Sequence, residues 1–303
     1  MSSRAIPDPR NNILGHNMLR LAALDEVRAE LERLGIPLLF LKGAAFLDTL
    51  YPDLAERAMC DIDVLVPARD MSRAARVLLA MGFRRSGPDK RPATYHEHYE
   101  WVYLRDEPFP ITLELHRAFC QSQRHPIDYD ALFGRAVVYH SHSRQIPTLC
   151  AEDSLLYVAL HEAMHSFAID GRSAEDVRRI IAGWHPNWGL VVSRAKEWHM
   201  TLALYVCLCA SVRQQNAEVP SHVMDALRPG RLRRAILHKL LHMHRTAHAP
   251  TVRVGRLRQL FTLVLTIEAP NHLMQFCLYY ARLRVRDLAL LAERRFQTWR
   301  AAS

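Results

Sequence analysis

No Cys-x-x-Cys pair occurs among the six cysteines of this 303-residue chain (Cys60, Cys120, Cys150, Cys207, Cys209, Cys277). That argues against a zinc ribbon or a disulfide framework and makes a reducing cytoplasm the expected compartment. No apolar run is long enough to span a bilayer; the longest, Thr201 to Val212, reads as a buried helix, so no transmembrane segment is expected. The first twenty residues carry prolines and polar side chains where an export signal needs a continuous apolar stretch, so no signal is read there. Internal repeats and low-complexity tracts are also missing. What remains is ordinary globular composition, 50% hydrophobic and 23% charged, with length for one large domain or two modest ones.

The net charge of +9 is unevenly placed. Residues Arg228 to Ser303 hold 15 Lys+Arg against 3 Asp+Glu, while the rest of the chain is slightly acidic. Such a tail suits a polyanion, an acidic partner or a membrane face. Its arginines interleave with leucines at helical spacing, however, so solvated helix faces are the plainer reading and nucleic acid is not favoured.

Periodicity divides the chain into 1–150 and 151–303. In the first part, Leu14, Met18, Leu21, Leu24, Val27, Leu31 and Leu34 predict an amphipathic helix from Asn11 to Gly35. Pro37–Lys42 reads as a strand broken by Gly43, Ala44–Leu50 as a short helix, Asp61–Val66 as a second strand and Met71–Met81 as a helix closed by Gly82. Tyr99–Arg105 and Ile111–His116 predict two more strands, and Val137–His140 with Arg144–Leu149 a late hairpin. From Ala151 onward the reading is helical: Glu152–Phe167, Ala174–Ile181, Thr201–Gln214, Leu232–His244, Val254–Ile267 and Leu273–Leu291, punctuated by prolines. The expected class is α+β: a small mixed sheet flanked by helices, followed by an α-helical C-terminal half.

The chemistry-bearing residues lie in the first part. Asp61 and Asp63 stand two apart on a predicted strand, so both side chains leave one face while Ile62, Val64 and Val66 enter the core. Two neighbouring carboxylates repel, and an apolar strand rarely carries them without a cation. A pair of Mg²⁺ ions would supply one, bridging the carboxylates and the phosphates of a nucleotide. A two-metal displacement also expects a third carboxylate. Glu114, which shares a strand face with His116, is the candidate. Upstream, the Lys42-Gly43 turn offers close backbone approach to a phosphate, with a point charge from Lys42 and a fork-shaped donor from Arg57.

Taken in order, Leu41-Lys-Gly43, Tyr51-Pro52, Arg57, Asp61-Ile-Asp-Val-Leu-Val66, Gly82-Phe83 and Leu113-Glu-Leu-His116 resemble the nucleotidyltransferase superfamily, in particular its bacterial uncharacterised branch. The likeness continues through Glu152-Asp-Ser-Leu-Leu156, His161, His165 and Asp176, and so covers nearly the whole chain. It implies a nucleotidyltransferase-type catalytic domain over 1–150 and a helical domain with a basic tail over 151–303. It implies an enzyme passing a nucleoside monophosphate, expected to be AMP from ATP, to an unidentified small-molecule, sugar, peptide or protein acceptor with loss of pyrophosphate. Asp61, Asp63 and Glu114 would bind metal, and Glu114 could take the acceptor's proton. Two departures stand out: Lys42-Gly43 replaces the superfamily's commoner Gly-Ser, as in the branch itself, and Glu114 stands where the branch often has Asp.

Two alternatives compete. His161-Glu-Ala-Met-His165 is a literal H-E-x-x-H, which on a helix gives two imidazoles on one face with Glu162 as base, as in a zinc metalloprotease. Its extended form fails at Ala168 and Gly171, leaving Glu175 or Glu197 as a third ligand. The other alternative is a non-catalytic nucleotide-binding or interaction protein, against which the three acids speak. His96, His98, His116, His161 and His165 could line an acceptor pocket. Tyr95, Tyr99, Trp101 and Tyr103 read as packing, and Trp184, Trp188 and Trp198 as core or interface residues.

Overall fold

A computed structural model describes residues 9–86, 99–120, 124–141, 144–165, 167, 171–231, 233–236, 266–268, 270–279, 281–282 and 285. Seven strands form one mixed sheet in the order β3-β4-β5-β2-β1-β7-β6. The strands are β1 (Leu39–Phe40), β2 (Ile62–Leu65), β3 (Arg84–Ser86), β4 (Glu100–Arg105), β5 (Ile111–His116), β6 (Val137–Ser141) and β7 (Arg144–Thr148). Helices α1 (Pro9–Arg33), α2 (Lys42–Leu50) and α3 (Met71–Ala80) flank it, with α3 packed on β3 and β5 and α2 on β2, β6 and β7.

The pattern of side chains explains the sheet's centre. On β2 and β5 the residues Ile62, Val64, Leu113 and Leu115 are all fully buried, and Trp101 and Tyr103 of β4 continue the same apolar face. Full burial of each Val, Leu or Ile is worth about 1.5–3 kcal/mol, so this face holds the register firmly. The other face of the same three strands carries Asp63, Glu114, His116 and Glu100. Central strands that are apolar on one side and ionic on the other are consistent with a site on the ionic side.

Beyond β7 the described residues are helical: Ala151–Met164, Gly171–Trp184, Trp188–Glu197, Thr201–Gln215 and Ser221–Leu227. The run from Leu202 to Leu208 is largely buried, as its apolarity requires, and among the described residues no helix is long and apolar enough to cross a membrane. Trp198 is buried, and Trp184 stacks on Tyr139 with ring centroids 4.6 Å apart. One continuous set of buried side chains runs from Leu21 to Leu227, taking in the sheet and these helices alike.

Several expected elements differ in detail. The strand expected over Pro37–Lys42 shrinks to Leu39–Phe40, because the chain turns into α2 at Lys42, one residue before the glycine. The strand expected from Asp61 begins at Ile62, leaving Asp61 on a bend at the strand's entrance. Helices Tyr129–Gly134, Trp188–Glu197 and Ser221–Leu227 and strand β3 lie between the expected elements. Cap chemistry marks two of them: Asp128 accepts from the Ala131 N–H, and Asn187 accepts from the Leu190 N–H. Helix Leu232–His244 and helix Val254–Ile267 fall largely outside the described residues, as does most of the basic tail; 270–279 is helical.

Candidate active site

The site begins with register. β2 and β5 run parallel, pairing Asp63 with Glu114 and Leu65 with His116, while antiparallel β4 sets Glu100 opposite His116. Four ionisable side chains from three strands therefore share one patch of the sheet. Asp63 is only 2% exposed and could not remain charged there alone. Two donors converge on its Oδ1: Lys42 Nζ at 3.1 Å and His116 Nε2 at 3.0 Å. His116 Nε2 also lies 3.5 Å from Glu114 Oε2, and ligand atoms of Asp63, Glu114 and His116 all fall within 4.8 Å of one another.

Electrostatics separates the two aspartates. Burial works against ionised Asp63, but the Lys42 charge and the His116 hydrogen bond outweigh it and hold its carboxyl well below the usual range. Asp61 is pushed upward, first by burial and then by Asp63, with Glu114 adding to the repulsion that Lys42 only partly offsets. Burial pulls Lys42 down, yet Asp63, Glu114 and Asp61 together keep its ammonium above the ordinary value. Burial likewise opposes a charged His116, but hydrogen bonds to Asp63 and Glu114 raise it to about 9. Four carboxyl groups, Asp61, Asp63, Glu100 and Glu114, thus act on the cationic side chains of Lys42 and His116.

The His116 shift fixes a pH dependence. A histidine whose folded pKa is raised contributes stability that is complete below its unfolded value of about 6.5. That contribution should disappear as pH rises through about 9. Urea unfolding of the metal-free chain should therefore show stability falling between about pH 6.5 and pH 10. A His116→Gln variant should lack this component of the slope; identical slopes in the two proteins would refute the assignment.

Lys42 and Gly43 sit where the sequence suggested, but for an added reason. Lys42 opens α2 with φ 44°, and no side chain caps that helix; the Ala44 N–H closes on Leu41 O at 3.1 Å, while Lys42 and Gly43 line the cavity at the helix start. A Cβ on Gly43 would stand 2.5 Å from Arg57 Nη1, so the glycine makes room for Arg57. Arg57 is itself buried, and its fork is occupied: Nε donates to Asp176 Oδ1 and Nη2 to Asp176 Oδ2, both at 2.7 Å. Tyr51 Oη donates to the same Asp176 at 2.6 Å, and Arg179 lies over the Tyr51 ring. The Arg57 fork expected to face phosphate thus ties the sheet region to helix Gly171–Trp184, leaving Nη1 against Gly43.

These residues border a cavity of about 180 Å³ lined by Lys42, Gly43, Asp61, Asp63, His161 and Arg172 among others. Cys60, exposed, stands at its edge. His161 lines the cavity and its ring lies 4.4 Å from that of His165, whereas His116 is buried beneath the carboxylates. His96, His98 and Tyr95 lie outside the described residues. For the H-E-x-x-H motif, buried Glu162 accepts from Ser173 Oγ at 2.7 Å, and Glu175 is bound by Arg178 and Arg179. Among the described residues the one candidate metal group is that of Asp63, Glu114 and His116, with nothing third to join His161 and His165.

A mixed sheet presenting clustered carboxylates beside an uncapped helix start is chemistry suited to a cation and a phosphate together. Family comparison gives that class a name. A model of the family described as uncharacterised nucleotidyltransferase matches residues 9–213, more than half of the chain, and the chain belongs to that family. Solved structures that the chain matches include the lincosamide antibiotic adenylyltransferase LnuA in its lincomycin-bound form, 16% identical, covering 52% of this chain and 93% of that one at a TM-score of 0.37. The antibiotic-resistance factor ANT(2'')-Ia is 12% identical over 76% of this chain and 98% of that one, with a TM-score of 0.40. An antigenic nucleotidyltransferase-like protein from Paracoccidioides brasiliensis is 14% identical, covering 70% and 91% respectively, also at 0.40. No curated protein matches the chain.

Proposed function

We propose that this chain transfers a nucleoside monophosphate, AMP from ATP, to an acceptor through a Mg²⁺ centre formed by Asp61, Asp63 and Glu114. One observation supports the reading: Asp63 and Glu114 pair across the parallel strands β2 and β5 with ligand atoms within 4.8 Å, while Asp61, whose carboxyl feels the charge of both, lines the same cavity as Asp63. The donor set suits magnesium, a hard cation that takes oxygen ligands. The upward shift of Asp61 is the strain that a bound cation would relieve. When bound, Mg²⁺ would neutralise phosphate charge and orient the triphosphate.

The chain's own residues supply the rest. The start of α2 would offer backbone N–H groups to the phosphates, and Lys42 would add a positive charge there. Arg57 contributes charge and shape beneath Gly43. Glu114, half-buried beside Asp63, would accept the proton of an acceptor hydroxyl or amine. His161 and Arg172 form the part of the cavity wall where the acceptor would sit.

The test is direct. Thermal melting of the full chain with ATP and Mg²⁺ together should show stabilisation that neither gives at the same concentration alone. A stabilisation of about 2.7 kcal/mol is expected when free ligand is a hundredfold above its dissociation constant. Equal responses to ATP with and without Mg²⁺ would count against the centre. Binding without pyrophosphate release across a panel of hydroxyl and amine acceptors would favour the non-catalytic reading.

A further inference from the structure

Beneath the proposed metal-binding carboxylates lies a contact that the transfer reaction does not itself use. Glu100 on β4 stands directly across from His116 on β5 in antiparallel register, on the sheet face that carries Asp63 and Glu114. His116 is buried, its side chain 4% exposed. Its Nε2 meets Asp63 Oδ1 at 3.0 Å, whereas its Nδ1 is buried with no hydrogen-bond partner in reach. The carboxylate facing that nitrogen is Glu100, with Oε2 at 3.6 Å.

We infer that Glu100 and His116 form a positioning pair that aims the Asp63 carboxylate toward the cation site, Glu100 acting on the ring's far nitrogen and His116 on Asp63. The inference rests on the reading of the site as a Mg²⁺ and nucleotide centre. An imidazole held on one nitrogen only can rotate about its χ2 axis. A carboxylate charge facing the other nitrogen, here at ion-pair distance of 3.6 Å, favours the ring orientation that keeps Nε2 on the aspartate. His116 lies near enough to Asp63 and Glu114 to be taken for a ligand itself. Its nitrogen is spent on Asp63, however, and magnesium prefers oxygen. Lys42 Nζ and His116 Nε2 meet the same Oδ1, so the pair determines how Asp63 is turned.

Glu100→Gln tests this in the intact chain, because Glu100 is at the partly exposed rim and glutamine keeps its shape. Magnesium titrations followed by thermal melting, without nucleotide and again with ATP, give a readout independent of turnover. Loss of a direct partner to a metal ligand typically weakens metal binding 10- to 100-fold; Glu100 acts one residue further out, so the Mg²⁺ midpoint should rise by up to about tenfold. The ATP midpoint at saturating Mg²⁺ should stay unchanged. In a His116→Asn background the Glu100 change should add nothing; additive effects would mean that Glu100 acts on the cation directly and would overturn the pair. A wild-type midpoint in Glu100→Gln would also overturn it. Should the wild-type chain itself fail to respond to Mg²⁺, with or without ATP, the reading of the site falls first and this inference with it.

Discussion

Asp61→Asn is expected to stabilise the metal-free chain while lowering nucleotidyl transfer roughly a thousandfold or more. The two effects share one cause. Folding raises the Asp61 pKa through burial and through Asp63. An acid with a raised folded pKa costs stability as pH rises above its unfolded value of about 3.9, so at neutral pH the group works against the fold. The neutral amide removes this cost, a gain of about 0.5–2 kcal/mol by analogy with relieved charge repulsion elsewhere. It also removes a cation ligand worth several kcal/mol to the developing charge in the transition state. Asp63→Asn should lose activity similarly but with the opposite stability sign. Its carboxylate is held below the usual range by Lys42 and His116, and an amide leaves both cations without their counter-ion. Paired urea melts in chelator, beside pyrophosphate-release rates in Mg²⁺, check both signs. If Asp61→Asn weakened the metal-free fold, the proposed carboxylate repulsion would be wrong.

Asp176→Ala should destabilise the chain by about 3–5 kcal/mol, the usual cost of leaving one member of a buried pair unpaired. Arg57 and Asp176 form a two-point ion pair buried on both sides, and Tyr51 donates to the same carboxylate. Burial disfavours a charged Arg57, yet the Asp176 charge more than restores it. Removing the acid leaves a guanidinium and a phenol without their acceptor in an enclosed space beside Gly43. Because Arg57 floors the cavity, nucleotide binding should also weaken in whatever fraction remains folded. A double Arg57→Met, Asp176→Leu variant offers the sharper comparison. Replacing both charges by apolar groups is often far less costly than removing one. A single-variant loss under 1 kcal/mol, measured by urea unfolding, would show that the pair is not a structural tie.

Much of this was legible in the order of the residues. The apolar alternation of Ile62, Val64, Leu113 and Leu115 placed two strands and, by period alone, put Asp63, Glu114 and His116 on their other faces. Gly35 and Gly82, both at positive φ, ended helices where a left-handed residue is needed. The family likeness brought Lys42, Asp61, Asp63 and Glu114 together as candidates, and family comparison assigns the chain to the uncharacterised nucleotidyltransferases.

Sequence by itself thus determined which side chains carry charge into the sheet and which way each faces, since strand period and apolar content are local properties. Tertiary structure alone decided their partners. Parallel pairing of β2 with β5 set Asp63 against Glu114, and antiparallel β4 brought Glu100 to His116. A helix 119 residues downstream took the fork of Arg57 that the sequence alone would assign to phosphate. Such choices depend on register and on contacts distant in the chain, where burial makes an unpaired charge too costly to leave; no spacing along the chain encodes them.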